Sequence, residues 1–164
     1  MSMDAVHPRV LGWLGRALSL ELSAVQQYMT QASLVELWGD ADAAERFRRE
    51  TVEEMRHAER LVQHMLSLGA APAASQLRPV THAQDLAGLL RHNLVLEQDL
   101  IVLYAGAVRF TLLIDDRPSC ELFSTLLDEE EHHLRDLNVW LADLAPRGHA
   151  NAHAERDPHA RATF

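Results

Sequence analysis

The residues of this chain best suited to chemistry are two Glu-x-x-His motifs, each with a carboxylate and an imidazole three positions apart. The first motif is Glu54 with His57, inside a stretch from Ala41 to Leu68 that contains no glycine or proline. Residues three apart on a helix project from one face, one turn apart, so these two side chains can bind one metal ion. One such motif alone is a weak signal.

The second motif, in the string DEEEHH, has two possible registers, Glu129 with His132 or Glu130 with His133. Apolar residues recur every three or four positions along this predicted helix, as expected for a core-facing stripe. The Glu130 register joins that stripe and continues it through Leu137. The Glu129 register would turn acidic residues into the core, so the stripe favours Glu130 and His133.

Two single glutamates interrupt the apolar stripes of the first and third predicted helices. Glu21 precedes Glu54 by 33 positions, and Glu97 precedes Glu130 by the same 33. In a helical hairpin this spacing returns both carboxylates to a similar height, because each leg of about 13–16 residues covers roughly 20–25 Å. We therefore expect the two hairpins to place four glutamates and two histidines at one level of a shared core.

Four buried carboxylates without cations would carry a large desolvation penalty. Two divalent metals would neutralise them and use both imidazoles. Carboxylate-rich ligation with one nitrogen per metal suits iron or manganese better than structural zinc. The predicted metal ligands, which are also the predicted catalytic residues, are Glu21, Glu54, His57, Glu97, Glu130 and His133. We expect Glu54 and Glu130 to bridge the metals, Glu21 and His57 to complete one site, and Glu97 and His133 to complete the other.

The pattern predicts an all-α fold, a ferritin-like four-helix bundle with a long crossover between helices two and three. Residues 69–81 hold two prolines and no amphipathic period, whereas the other two connections are short. Thr81 followed by Gln84 resembles a capping box at the start of helix three. We expect residues 1–145 to form the bundle and residues 146–164 to be an irregular or disordered, histidine-rich tail. The predicted helices run from Pro8 to about Leu37, from about Ala41 to Leu68, through the stretch around Glu97, and from Pro118 to about Leu144.

Composition excludes several other classes of protein. A net charge of −9 argues against nucleic-acid binding, which needs clustered basic residues. No apolar run approaches the ~20 residues of a membrane span, and no signal peptide is evident. Cys120 is the single cysteine, so no disulfide framework is expected and a reducing cytoplasm is the predicted compartment.

Over about residues 10–144 the chain resembles the bacterioferritin family of the ferritin-like superfamily. The strings that carry the resemblance are LELSAVQQY, EEMRHAERL, LVLEQDL and DEEEHHL, one around each predicted metal-binding glutamate. The resemblance implies a di-iron centre held by the same six residues, with the family's nearby tyrosine falling on Tyr28, which joins them as a predicted catalytic residue. It also implies a homo-oligomer, at least a dimer.

Met55 corresponds to the methionine that is the axial haem ligand in bacterioferritins. The resemblance therefore implies haem b at a two-fold axis between subunits, with one methionine from each. Taken alone, a helical methionine is more often packing material.

Two departures from the family pattern bear on storage. The family's inner-surface iron site uses a histidine and an aspartate where this chain has Arg49 and Glu53. The family's fifth helix is replaced by the tail, in which His149, His153 and His159 are expected to be solvated. A 24-subunit cage, a smaller shell and a dimer therefore all stay open.

The function predicted from these features is a ferroxidase that oxidises Fe(II) with dioxygen or peroxide and so stores or detoxifies iron. Two alternatives remain at this point. One is a small-oligomer di-iron oxidase or peroxidase that forms no mineral. The other is a haem-binding helical bundle whose buried acids never bind iron.

Overall fold

The computed structural model describes residues 6–145, which fold as four long α-helices. It contains no β-strand within this range, and short turns join α1 to α2 and α3 to α4. Residues 68–85 form the long crossover between the two hairpins. The predicted all-α fold and its connectivity are therefore confirmed. The helices are α1 (Pro8–Leu37), α2 (Ala41–Ser67), α3 (Leu86–Leu113) and α4 (Arg117–Leu144).

The histidine-rich tail predicted for residues 146–164 lies outside the described residues. So do its three histidines, His149, His153 and His159. Between residues 6 and 145, no helix is both long enough and apolar enough to cross a membrane.

An aspartate caps three of the four helices by accepting a hydrogen bond from a backbone N–H of the first turn, which would otherwise lack a partner. Asp40 caps α2 at 2.9 Å, Asp85 caps α3 at 2.7 Å and Asp116 caps α4 at 3.1 Å. The capping box predicted for α3 at Thr81 is therefore wrong. The Asp85 carboxylate provides the cap four residues later, nearer to the first apolar residue of the helix.

Thr81 has a different role, because it fastens the crossover to α1. Its hydroxyl donates to Gln27 Oε1 at 3.0 Å. Two further backbone N–H groups of the crossover, at residues 76 and 78, donate to the hydroxyls of Ser19 and Ser23. These bonds fix the crossover along one side of α1, which determines where the second hairpin begins.

The two hairpins pack side by side around one core, with α1 also packing against α3. A Cβ atom at Gly106 would lie 2.8 Å from the ring of Trp13, so glycine permits the close approach of α3 to α1 at this point. The core is mostly apolar, with a buried hydrogen-bonded group of Gln27, Gln31 and Asn93 between α1 and α3. At its middle it is interrupted by glutamates that have no exposed surface, one from each helix: Glu21, Glu54, Glu97 and Glu130.

Candidate metal centre

The six predicted ligands come together at the middle of the bundle. The four glutamates are fully buried, His57 is 2% exposed, and His133 is slightly more open. Their carboxylate oxygens and imidazole nitrogens form two overlapping groups whose atoms lie within 4.8 Å of one another. One group is Glu21, Glu54, His57 and Glu130, and the other is Glu54, Glu97, Glu130 and His133.

Glu54 and Glu130 belong to both groups because they lie between the two imidazoles. His57 Nδ1 is 2.7 Å from Glu130 Oε1 and 3.0 Å from Glu54 Oε2. His133 Nδ1 is 3.3 Å from the other oxygen of each carboxylate. Each of these carboxylates thus presents one oxygen to either side, which is the arrangement of a bridging ligand. Glu21 lies on the His57 side, with Oε1 3.6 Å from His57 Nδ1.

The ligand atoms lack ordinary hydrogen-bond partners, which provides a test of whether metals fit here. Among residues 6–145, eight buried atoms of the six side chains have no hydrogen bond. Buried polar atoms in native proteins are nearly always paired, so a cluster of unpaired ones needs an explanation. Divalent cations would satisfy all eight, and the set of oxygens with one nitrogen per metal suits iron or manganese. The atoms are Glu21 Oε2, both oxygens of Glu54, Glu97 Oε2, both oxygens of Glu130, His57 Nδ1 and His133 Nδ1.

The electrostatics of the cluster show how protons can compensate the carboxylates without a metal. Burial, together with neighbouring carboxylates, raises the pKa of Glu21 and of Glu97 well above the usual value. Burial works against the charged forms of His57 and His133, but the negative charge of the neighbouring carboxylates prevails and raises both pKa values, that of His133 to about 11. Burial likewise opposes ionisation of Glu130, but the two imidazoles beside it lower its pKa. Protons on the imidazoles therefore occupy positions that metal ions would take.

Two tyrosines border the cluster, of which the sequence analysis singled out only Tyr28. The Tyr28 hydroxyl donates to Glu97 Oε1, and the Tyr104 hydroxyl donates to Glu21 Oε1. Both rings are fully buried. The missed signal was a repeated spacing, since each tyrosine follows a buried glutamate by seven residues in its own helix.

The alternative motif register falls outside the cluster. His132 is exposed, and its Nε2 lies 3.4 Å from Asp136 at the surface. Glu129 instead lies behind His57, with Oε2 3.0 Å from His57 Nε2, and it also accepts hydrogen bonds from the guanidinium of Arg60. A carboxylate that accepts the second ring N–H of a metal-binding histidine fixes its tautomer and orientation.

Met55 faces away from the cluster and is 55% exposed. Val52, one turn earlier on α2, is 45% exposed, so the two form an apolar surface on this helix. Arg49 and Glu53, the two positions noted in the sequence analysis, make surface ion pairs. Arg49 lies 3.9 Å from Glu45, and Glu53 lies 2.6 Å from Arg56.

Comparison with known proteins places the chain in a family. The family model for the ferritin-like domain matches residues 13–146. A bacterioferritin of Rhodobacter capsulatus is 32% identical over 145 residues, covering 87% of this chain and 90% of the relative. A bacterioferritin of Brucella melitensis biotype 1 is 33% identical over 142 residues, covering 87% and 88%.

A solved structure agrees with these sequence matches. The bacterioferritin of Rhodobacter capsulatus superposes with a TM-score of 0.80 at 31% identity, covering 83% of this chain and 85% of that one. That protein is described with a metal-free dinuclear site and a haem iron in a crystallographic special position. Fold, sequence and the buried glutamate–histidine cluster agree: the chain belongs to the bacterioferritin family of ferritin-like proteins.

Proposed function

We propose that this protein is a ferroxidase that binds two Fe(II) ions per chain and oxidises them with dioxygen or peroxide. The observation that carries the proposal is the set of eight unpaired buried ligand atoms at the centre of the bundle. A merely structural core would pair these atoms with hydrogen-bond donors or replace them with apolar groups. Fe(II) is the substrate in this reaction, and the bundle is its binding site.

The six side chains would form two adjacent metal-binding positions. His57 and Glu21 would bind one ion, His133 and Glu97 would bind the other, and Glu54 and Glu130 would bridge the pair. Two bridging carboxylates would hold the ions close together, so that both could give up an electron to the same oxidant. The surrounding apolar core keeps bulk water away from the reaction.

The reaction balances with two electrons. Each Fe(II) loses one, so a pair of ions with two protons reduces dioxygen to hydrogen peroxide. With peroxide as the oxidant, the same two electrons and two protons give two waters. The two protons are drawn from solvent, because metal binding itself displaces those held on His57 and His133.

We propose that the oxidised iron is then stored by a homo-oligomer, since the relatives over most of this chain are bacterioferritins. Arg49 and Glu53 make surface ion pairs where the family carries inner-surface ligands, which favours another route for iron out of the centre. An oligomer smaller than a cage, acting as a di-iron oxidase without mineral storage, is the alternative that this substitution supports.

A second proposal concerns haem b. The thioether of Met55 is exposed beside Val52 on one face of α2, where a soft ligand with an apolar neighbour fits haem iron. Met55 from each of two subunits would hold the haem at a two-fold axis. The bound haem would supply one-electron transfer. Replacing Met55 with Leu keeps an apolar surface but removes the ligand, so the haem absorption after reconstitution should be lost.

The ferroxidase is tested by aerobic titration of the metal-free protein with Fe(II), followed by near-ultraviolet absorption. The expected result is a fast phase that saturates at two irons per chain. Glu54→Ala should abolish the fast phase, because it removes a ligand shared by both ions. Glu59→Ala, an exposed residue of the same helix, is the matched control and should retain it.

Light scattering on the same samples separates storage from oxidation alone. A large particle that continues to take up iron after the fast phase supports the bacterioferritin-like function. Fast oxidation on a small oligomer without further uptake supports the oxidase alternative. A fast phase that survives Glu54→Ala would overturn the assignment of the site, and oxidation no faster than in buffer would leave the haem-binding role.

A further inference from the structure

Each of the two tyrosines of this chain hydrogen-bonds to a glutamate on a different helix. Tyr28 on α1 donates its hydroxyl hydrogen bond to Glu97 on α3, and Tyr104 on α3 donates to Glu21 on α1. Each tyrosine follows the glutamate of its own helix by seven residues, or two helical turns. The arrangement is therefore the same in both hairpins, with α1 and α3 each providing one glutamate and one tyrosine.

Each of these hydrogen bonds occupies one oxygen of a glutamate and leaves the other free. Tyr104 bonds Glu21 Oε1, whereas Glu21 Oε2 has no hydrogen-bond partner among residues 6–145. Glu97 shows the same division, with Oε1 bonded by Tyr28 and Oε2 without a partner in that range. A carboxylate held in this way can offer a single oxygen to a metal rather than both.

The free oxygens belong to the two glutamates that do not bridge. Glu21 is grouped with His57, and Glu97 with His133. The number of oxygens that each terminal glutamate contributes determines how many coordination positions are left for the oxidant. A hydroxyl that restricts this number therefore acts on the reaction through the ligand, without touching the metal.

We propose that Tyr104 is a positioning residue that restricts Glu21 to one-oxygen ligation of the metal at the His57 position. Tyr28 does the same for Glu97 at the His133 position. The inference rests on the proposed metal centre and adds a residue that the sequence analysis did not single out.

Core packing by the Tyr104 ring does not account for its hydroxyl. The ring packs against Phe123 with centroids 6.1 Å apart, a contact that phenylalanine would preserve. A buried hydroxyl needs an acceptor, but a backbone carbonyl would serve, as it does for the buried Thr111. Here the acceptor is a predicted metal ligand, and the Tyr28 hydroxyl likewise donates to a predicted ligand, Glu97.

The test uses anaerobic binding of Co(II), whose visible absorption weakens as its coordination number rises. We would titrate the wild-type protein, Tyr104→Phe, Tyr28→Phe and the double variant. In wild type, two Co(II) should bind per chain. Tyr104→Phe frees Glu21 Oε1 to coordinate as well, so one of the two Co(II) should gain a coordinating oxygen and lose visible absorption.

Tyr28→Phe is the matched comparison, because it removes the same hydroxyl from the other half of the site. It should change the other Co(II), and the double variant should show the sum of both changes. Circular dichroism and thermal melting check that each variant is folded. A second measurement needs only the wild-type protein. Its near-ultraviolet tyrosine absorption should change on Zn(II) binding, because both tyrosines contact predicted ligands.

The outcomes separate this inference from the proposed function. Two Co(II) in wild type with an unchanged spectrum and affinity in Tyr104→Phe would overturn the positioning role while leaving the metal centre intact. If Tyr104→Phe lowered only the thermal stability and left the binding and spectrum of both Co(II) unchanged, Tyr104 would have only a packing role. A wild-type protein that bound no Co(II), Zn(II) or Fe(II) would overturn the metal centre and this inference together.

Discussion

His57 links the buried glutamates to Glu129 near the surface, using its two nitrogens in opposite directions. Nδ1 faces Glu54 and Glu130 at 3.0 and 2.7 Å, while Nε2 lies 3.0 Å from Glu129 Oε2. Arg60 in turn donates to both oxygens of Glu129. A proton on Nε2, accepted by Glu129, leaves the lone pair of Nδ1 available to a metal.

We predict that Glu129→Ala weakens metal binding at the His57 position by about 10- to 100-fold, the usual effect of losing an outer-sphere carboxylate. Calorimetric titration with Co(II) would resolve the weakened position from the His133 position, which should keep its affinity. Glu131→Ala, exposed on the same helix, is the control. Equal weakening at both positions would contradict a specific role for the Glu129–His57 pair.

Metal binding should release protons and should weaken as the pH falls. The pKa values of His57 and His133 are raised, that of His133 to about 11, so both rings are cationic at neutral pH without metal. Burial, the main cause, also raises the pKa values of Glu21 and Glu97, so protons compete for these carboxylates as well. Because a metal needs the deprotonated ligand, each added proton competes with it.

The proton release is measured by titration calorimetry at pH 7 in two buffers with different ionisation enthalpies. We expect the release of about one proton per imidazole. Apparent affinity should fall steadily when the titration is repeated at lower pH. Binding heats that do not depend on the buffer would show that both imidazoles are neutral before the metal binds.

Removing metal should lower the melting temperature. A ligand that binds only the folded state at 100 times its dissociation constant stabilises it by about 2.7 kcal/mol for each site. For a chain of this size that corresponds to a rise of several degrees per site. Differential scanning calorimetry with Co(II) and then with excess chelator measures the difference. Glu54→Ala, which lacks the shared ligand, should melt at nearly the same temperature in both conditions, whereas an equal shift there would indicate binding elsewhere.

Periodicity and spacing in the sequence predicted the helical bundle and the cluster of glutamates and histidines at its middle. A glutamate inside an apolar stripe is conspicuous, and Glu21 and Glu97 fall at matched distances from Glu54 and Glu130. The start of α3 was predicted wrongly because Thr81 and Gln84 have the spacing of a capping box. The structure uses Thr81 to hold the crossover on Gln27, a long-range contact that local spacing cannot reveal.

Tyr104 and Glu129 escaped prediction for related reasons. A tyrosine in an apolar stripe looks like any core aromatic until the partner of its hydroxyl is known, and that partner lies 83 positions away. In the sequence analysis Glu129 was considered only as part of the alternative register of the second motif, which the apolar stripe did not favour. Its role depends on the direction of the His57 ring, which is fixed by the packing of α2 against α4 and not by either helix alone.

Two glycines in the bundle should respond oppositely to alanine, since only one of them has a crowded surrounding. A Cβ at Gly15 would meet no atom within 4 Å, so Gly15→Ala should stabilise the protein by about 0.5–1 kcal/mol through helix propensity. A Cβ at Gly106 would lie 2.8 Å from the Trp13 ring, so Gly106→Ala should cost about 1–3 kcal/mol through overpacking. Chemical denaturation of the metal-free variants measures both. A stabilising Gly106→Ala would mean that Trp13 moves aside without loss, and the close approach of α3 to α1 would then not depend on glycine.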